Sequence, residues 1–303
     1  MSRSLSDRPS FLALLVAVVL TPAAAWGDTP TDAHREALRS AGSAARAALV
    51  SGPTSVALRD QATLALPEHF GFVPRKEAGD LMRAMGNRIG DDFLGLVVPL
   101  GESAGWFMTV NYAPSGYIKD DDARHWDADK LLKSLKDGTE AANQEREKVG
   151  VPAIEVTRWI EPPAYAAGSH ELVWAAEAKR KDGQGDDPVV NYNTYVLGRE
   201  GYLSLDLITR ASAVEDDKAA ARELLAAAQF NSGKRYQDFN SSTDKVAAYG
   251  LAALVAGVAA KKLGLLALFA ATVVKFAKLI GIAVIGAFVA VKRWLGLRGS
   301  KQT

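Results

Sequence analysis

The chain has 303 residues, a net charge of +1 and no cysteine. Without cysteine it has no disulfides, no thiol catalysis, no thiolate metal site and no lipid-modified cysteine anchor. The near-zero charge hides a split: nine basic residues and one acidic from Asp244 onward give +8, and Arg3, Arg8 and Asp7 give +1, so Trp26–Thr243 carries −8. That acidic body argues against nucleic acid as a partner, and only the basic end suits anionic lipid.

In chain order, Arg3 and Arg8 precede the apolar run Phe11–Leu20, and Ala23–Ala25 supply a small-residue cleavage site. The pattern predicts a secretory signal peptide over residues 1–25, too short in its apolar part for the ~20 residues of a spanning helix. Residues 26–243 form the expected exported domain. Alanine-rich Thr31–Val50 predicts a helix stopped by Gly52-Pro53, and Ser55–Arg59 and Gln61–Leu66 predict two short strands. Lys76–Met85 has helical apolar spacing, and Phe93–Leu100 with Trp106–Tyr112 forms a hairpin signal. Asp127–Val149 is the clearest long helix, with Gly138 and Asn143 expected to kink or break it.

Four strand-like runs follow, Ala153–Ile160, Glu171–Lys179, Val189–Gly198 and Tyr202–Thr209, and Ala219–Phe230 closes the domain as an amphipathic helix. This order predicts an α+β fold, an antiparallel sheet of about six strands packed by helices. Asn231–Lys245 is a polar linker to the tail, residues 244–303.

The tail holds three apolar runs, Val246–Ala260, Leu263–Val274 and Leu279–Val291, separated by Lys261, Lys262, Lys275, Lys278, Lys292 and Arg293, with Tyr249 near its start. None reaches ~18 uninterrupted apolar residues. On a helical wheel all those basic residues except Lys262 share one stripe with Lys261, which suits a helix lying in the lipid interface. With an exported domain, a single crossing beginning near Val246 leaves the basic end inside, as the positive-inside rule prefers, while a two-crossing hairpin leaves it outside. The tail therefore predicts anchoring in the membrane across which the domain is exported, with the lipid bilayer as one partner.

Three strings carry a resemblance: Gly116-Tyr117-Ile118-Lys119-Asp120-Asp121-Asp122-Ala123; Asn191-Tyr192-Asn193 with Leu197-Gly198-Arg199-Glu200-Gly201-Tyr202; and Asp244-Lys245-Val246-Ala247-Ala248-Tyr249-Gly250-Leu251. The chain resembles, over about Leu66 to Leu265, the family called domain of unknown function 2167. The resemblance implies a membrane-anchored bacterial protein and supplies no reaction.

Candidate sites then rest on the residues. Asp120, Asp121 and Asp122 offer oxygens to a hard cation, but consecutive acids do not follow the alternate spacing of a calcium loop, and a solvated turn before a helix explains them too. The histidines, His34, His69, His125 and His170, form no ligand pair at metal spacing. Pro114-Ser115-Gly116-Tyr117 falls short of a nucleophile elbow, Gly183-Gln184-Gly185 lacks the third glycine of a dinucleotide loop, and no cofactor is implied. Asn191, Asn193, Tyr195, Arg199 and Tyr202, with Glu161, form a polar aromatic set whose residue types are common in binding surfaces and in ordinary strands alike. The expectation is a binding or scaffolding module that meets an envelope protein or peptide. Two alternatives stay open: an envelope hydrolase or metal-assisted enzyme using Asp120–Asp122 and His125, and a lipid-sensing or oligomerising protein driven by its tail.

Overall fold

The computed structural model describes residues 32–256, except 86, 88, 102–104, 125, 149–151 and 184–186. The expected signal peptide, His125 and the tail basic residues from Lys261 to Arg293 lie outside the described residues.

The fold is α+β, and its main sheet has eight antiparallel strands. In chain order the elements are α1 (Asp32–Ala47), β1 (Val50–Ser51), β2 (Thr54–Leu58), β3 (Ala62–Leu66), β4 (Phe70–Pro74), α2 (Arg75–Ala84), β5 (Phe93–Pro99) and β6 (Phe107–Ala113). After a 3-10 turn at Asp121–Arg124 come α3 (Ala128–Lys148), β7 (Ile154–Ala166), β8 (Glu171–Arg180), β9 (Val189–Leu197), β10 (Tyr202–Arg210), α4 (Val214–Ala227), β11 (Ala228–Phe230) and α5 (Leu251–Ala256). The main sheet runs β1-β4-β5-β6-β10-β9-β8-β7, and β11-β3-β2 form a second, three-stranded sheet.

The sheet is two strands wider than the six expected because Phe70–Pro74, which carries Gly71 and ends in proline, pairs in register with β5, and Val50–Ser51 pairs in turn with Phe70–Pro74. The predicted last helix is really two elements: α4 starts five residues earlier than expected and stops at Ala227, and the next three residues pair with β3. Helix α3 runs unbroken through Gly138 and Asn143, where a kink or break was expected. Asn143 turns its amide to the next strand instead, donating to Ile154 O at 2.8 Å and accepting from Ile154 N at 3.1 Å, so the residue that weakens the helix locally ties it to β7. The outer strand β7 is interrupted by bulges and contains Pro162-Pro163, which blunts an edge otherwise open to further strand pairing.

Side chains alternate across each strand. On one face Leu203, Leu205 and Leu207 of β10, Met108 and Val110 of β6, and Tyr192 of β9 pack with α4 and the small sheet. The other face has two apolar covers. The helices α1 and α2 bury Phe93, Leu96 and Ile208, while α3 and α5 bury Leu172, Trp174, Tyr195 and Leu197. Between those covers the same face turns polar.

Candidate functional site

That polar strip is built by strand register. In β10 the leucines occupy alternate positions, so Ser204 and Asp206 point to the opposite face. Asp206 lies opposite Thr109 of β6 and Asn193 of β9, and Asn193 lies opposite Trp174 of β8. Ser204 lies opposite Asn111 and Tyr195, and the Asn111 amide donates to Ser204 Oγ at 3.2 Å. The Ser204 hydroxyl donates to Asp206 Oδ2 at 2.9 Å. Asp206 is only 2% exposed, and burial, with the negative charge of Asp92 adding to it, pushes its carboxyl up to about 7. Burial likewise pushes the phenols of Tyr195 and Tyr202 upward, and both feel the Asp206 charge; their rings lie 5.3 Å apart.

Four of the six residues expected to form a binding surface thus share one face: Asn191, Asn193, Tyr195 and Tyr202. They line a covered strip rather than a shallow open surface, because the second helical layer lies on that face; Asn193 and Tyr195 are buried. The other two lie elsewhere. Glu161 belongs to the opposite face, where its carboxylate accepts from Tyr192 Oη at 2.7 Å and from Arg222 Nη2 of α4 at 2.7 Å. Burial first, then that carboxylate, pushes the Tyr192 phenol up to about 12. Arg199 stands at the β9–β10 turn and is committed to Asp244 in a two-pronged pair, Nε to Oδ2 at 2.6 Å and Nη2 to Oδ1 at 2.8 Å. The guanidinium holds the Asp244 carboxyl well below the usual carboxylate range, helped by the Asn240 backbone amide.

The Arg199–Asp244 pair is one corner of a second structure, a seat for the start of the C-terminal segment. Tyr117 N donates to Lys245 O at 2.8 Å and Ala247 N donates to Tyr117 O at 2.8 Å, a short parallel ladder. Gly116 N donates to Glu200 O at 3.0 Å, which adds the β9–β10 turn to the same junction. Asp122 accepts from Leu251 N at 3.1 Å and from Ala252 N at 2.9 Å, satisfying two of the free amides at the start of α5. Leu251, Leu254 and Val255 are at most 1% exposed, packed in the cluster that holds Leu131 and Trp174. Residues 244–256 therefore pack on the domain, and Val246, near which the crossing is expected to begin, bridges to Tyr117. Tyr249, expected to lie in the membrane, packs against that same cluster.

The three acids do not converge on one point. Asp122 holds α5, Asp120 accepts from Tyr165 Oη at 2.8 Å, and Asp121 is exposed. Among the described residues no group of three or more His, Cys, Asp or Glu side chains is placed to hold a metal ion. Tyr165 Oη also lies 3.1 Å from His170 Nδ1, and the ring of His170, at φ 57°, lies tilted against Tyr236 with centroids 4.1 Å apart. Replacing Asp122 with alanine leaves the amides of Leu251 and Ala252 without their acceptor. The expected cost is about 1 kcal/mol, confined to α5 and measured as faster amide exchange from Leu251 to Ala253 with unchanged exchange in β8–β10.

Among the described residues no helix is long and apolar enough to cross a membrane. No curated protein is similar in sequence. Two solved structures are similar in part: the cyanobacterial PsbP protein (CyanoP) of Synechocystis sp. PCC 6803, 12% identical over 60% of this chain and 91% of that one at a TM-score of 0.36, and the Saccharomyces cerevisiae Ran-binding protein Mog1p, 13% identical over 59% and 89% at 0.31. At these scores neither neighbour's role is carried over. The three strings that sequence reading singled out meet in space at the seat and the polar strip, and the model of one family matches residues 50–286. The chain belongs to that family, described as protein of unknown function (DUF2167).

Proposed function

We propose that this protein is a membrane-tethered binding module of the bacterial envelope. Its domain works outside the cytoplasmic membrane, and its tail beyond Ala256 is the tether. The observation that carries the reading is the seat: Arg199–Asp244, the Tyr117 ladder and the Asp122 cap fix the first residues of the C-terminal segment onto the domain, so the domain leaves the tether in a set orientation. An unseated linker would let the domain swing freely. The signal-like residues 1–25, the acidic body and the basic apolar tail support export and anchoring. For binding, the support is the covered polar strip, whose enclosed position favours a small ligand over a flat protein surface. The seat also ties tether and strip together, because Tyr249 adjoins the phenols of Tyr195 and Tyr202.

The test uses the intact chain in its own cells. Protease added to spheroplasts is expected to cut the exposed hairpin at Lys181, while the C-terminal fragment stays in the membrane pellet after an alkaline wash. Full protection of the domain, or release of the chain into the soluble fraction, would overturn the reading.

A further inference from the structure

The polar strip holds buried hydrogen-bonding groups that the fold does not use. Asp206 Oδ1, Asn191 Oδ1 and Trp174 Nε1 are all buried without a partner. They lie on one face of three adjacent strands: Asn193 stands directly between Asp206 and Trp174, and Asn191 is two residues along on the same strand. A buried carboxylate is normally paired or hydrogen-bonded through both oxygens, since an unpaired one costs several kcal/mol. Here the one described charge that Asp206 feels is another acid, Asp92. Among the described residues, then, Asp206 Oδ1 and Asn191 Oδ1 are buried acceptors that meet no donor, and the indole N–H of Trp174 is a buried donor that meets no acceptor. Aromatic rings flank it: Tyr195 lies 5.3 Å from Tyr202 and 6.5 Å from Trp174. A buried carboxylate on a sheet face that also carries aromatic rings can attract an ammonium group, by charge and by the ring quadrupoles. The Asn191 oxygen is a second acceptor for ammonium hydrogens, and the indole N–H is a donor for an oxygen on the same ligand.

We propose that the strip binds a small free organic ammonium compound, with its charge on Asp206, its N–H groups shared with Asn191 and its body against Tyr195, Tyr202 and Trp174. Enclosure on the sheet face excludes a headgroup still attached to a bilayer. This rests on the binding-module reading above and names its ligand class.

The test uses the full-length chain in detergent at pH 8, with methylammonium as the probe and potassium and methanol as controls of charge and size. Expected is a saturable rise in Tm with methylammonium that neither control reproduces, weakened at least about tenfold in Asp206→Asn. Should that variant fail to fold, the carboxyl carbon of Asp206 in the wild-type chain serves instead, and methylammonium is expected to lower its titration midpoint. An equal response to potassium or methanol, equal binding by Asp206→Asn, the absence of saturable stabilisation, or an unmoved midpoint would each overturn the proposal. None of these outcomes touches the spheroplast result, so the ligand and the tether fail separately.

Discussion

Gly116→Ala is expected to unseat the C-terminal segment while the sheet stays folded. Gly116 has φ +89°, a conformation that costs a side-chain-bearing residue roughly 1–2 kcal/mol. A Cβ there would also stand 2.6 Å from Lys245 O and 3.2 Å from Lys245 C, both backbone atoms that cannot rotate away. Relief requires moving either the Tyr117–Lys245 ladder or the Gly116–Glu200 bond, two of the links, beside the Arg199–Asp244 pair, that hold the segment and the β9–β10 turn together. Adding the clash to the strain gives roughly 2–4 kcal/mol, concentrated at one junction. Trypsin is the direct measurement, because Lys245 is exposed but held in the ladder, and cleavage requires local opening. Cutting at Lys245 is expected to speed up by one to three orders of magnitude in the variant, with cleavage at Lys181 unchanged. Equal acceleration at both sites would mean global destabilisation and would remove the seat as a separate unit.

Much of the fold was legible in the sequence. The long helix, both early hairpins and all four late strands follow the periodicity that marks them. The errors share a physical cause. Phe70–Pro74 has glycine and proline in place of β-branched alternation, and its strand state comes from pairing with β5, a non-local gain invisible in a short window. Ala228–Phe230 continues an alanine-rich helical pattern, yet is drawn off to complete the small sheet.

The site follows the same division. Alternation in Tyr202–Thr209 is enough to place Tyr202, Ser204 and Asp206 on one face. It leaves open whether that face meets water, and a half-exposed strand would have made Asp206 an ordinary surface acid. In the fold that face is closed to water, and Asp206 is only 2% exposed. Arg199 and Asp122 were picked out for charge, and both turned out to be committed to the segment 244–252, a partnership across 45 and about 130 residues that no local spacing encodes.

Asp206→Asn is expected to stabilise the protein at pH 8, an unusual sign for removing a buried hydrogen-bonded group. The folded carboxyl titrates at about 7, against 3.8 for the ordinary aspartate, so between those values the folded state binds more protons than the unfolded one. Stability from this group is then complete below pH 3.8, falls as pH rises through the window and is lost above 7. The interval of about three pH units corresponds to about 4 kcal/mol. Asparagine has nearly the same shape and keeps an oxygen for the Ser204 hydroxyl, but it cannot ionise. The stability difference between variant and wild type should therefore start near zero at pH 4 and grow to about 4 kcal/mol by pH 8, read from urea unfolding at fixed ionic strength. The comparison must be a difference between the two proteins. Asp217, raised by burial, contributes in the same direction, while Asp244, lowered by Arg199, contributes stability that disappears only as pH falls into the acid range. A difference that stays flat with pH would show that Asp206 does not titrate in this window. A rising one identifies a residue that costs stability above pH 7, the sign expected of a group whose task is not to stabilise the fold.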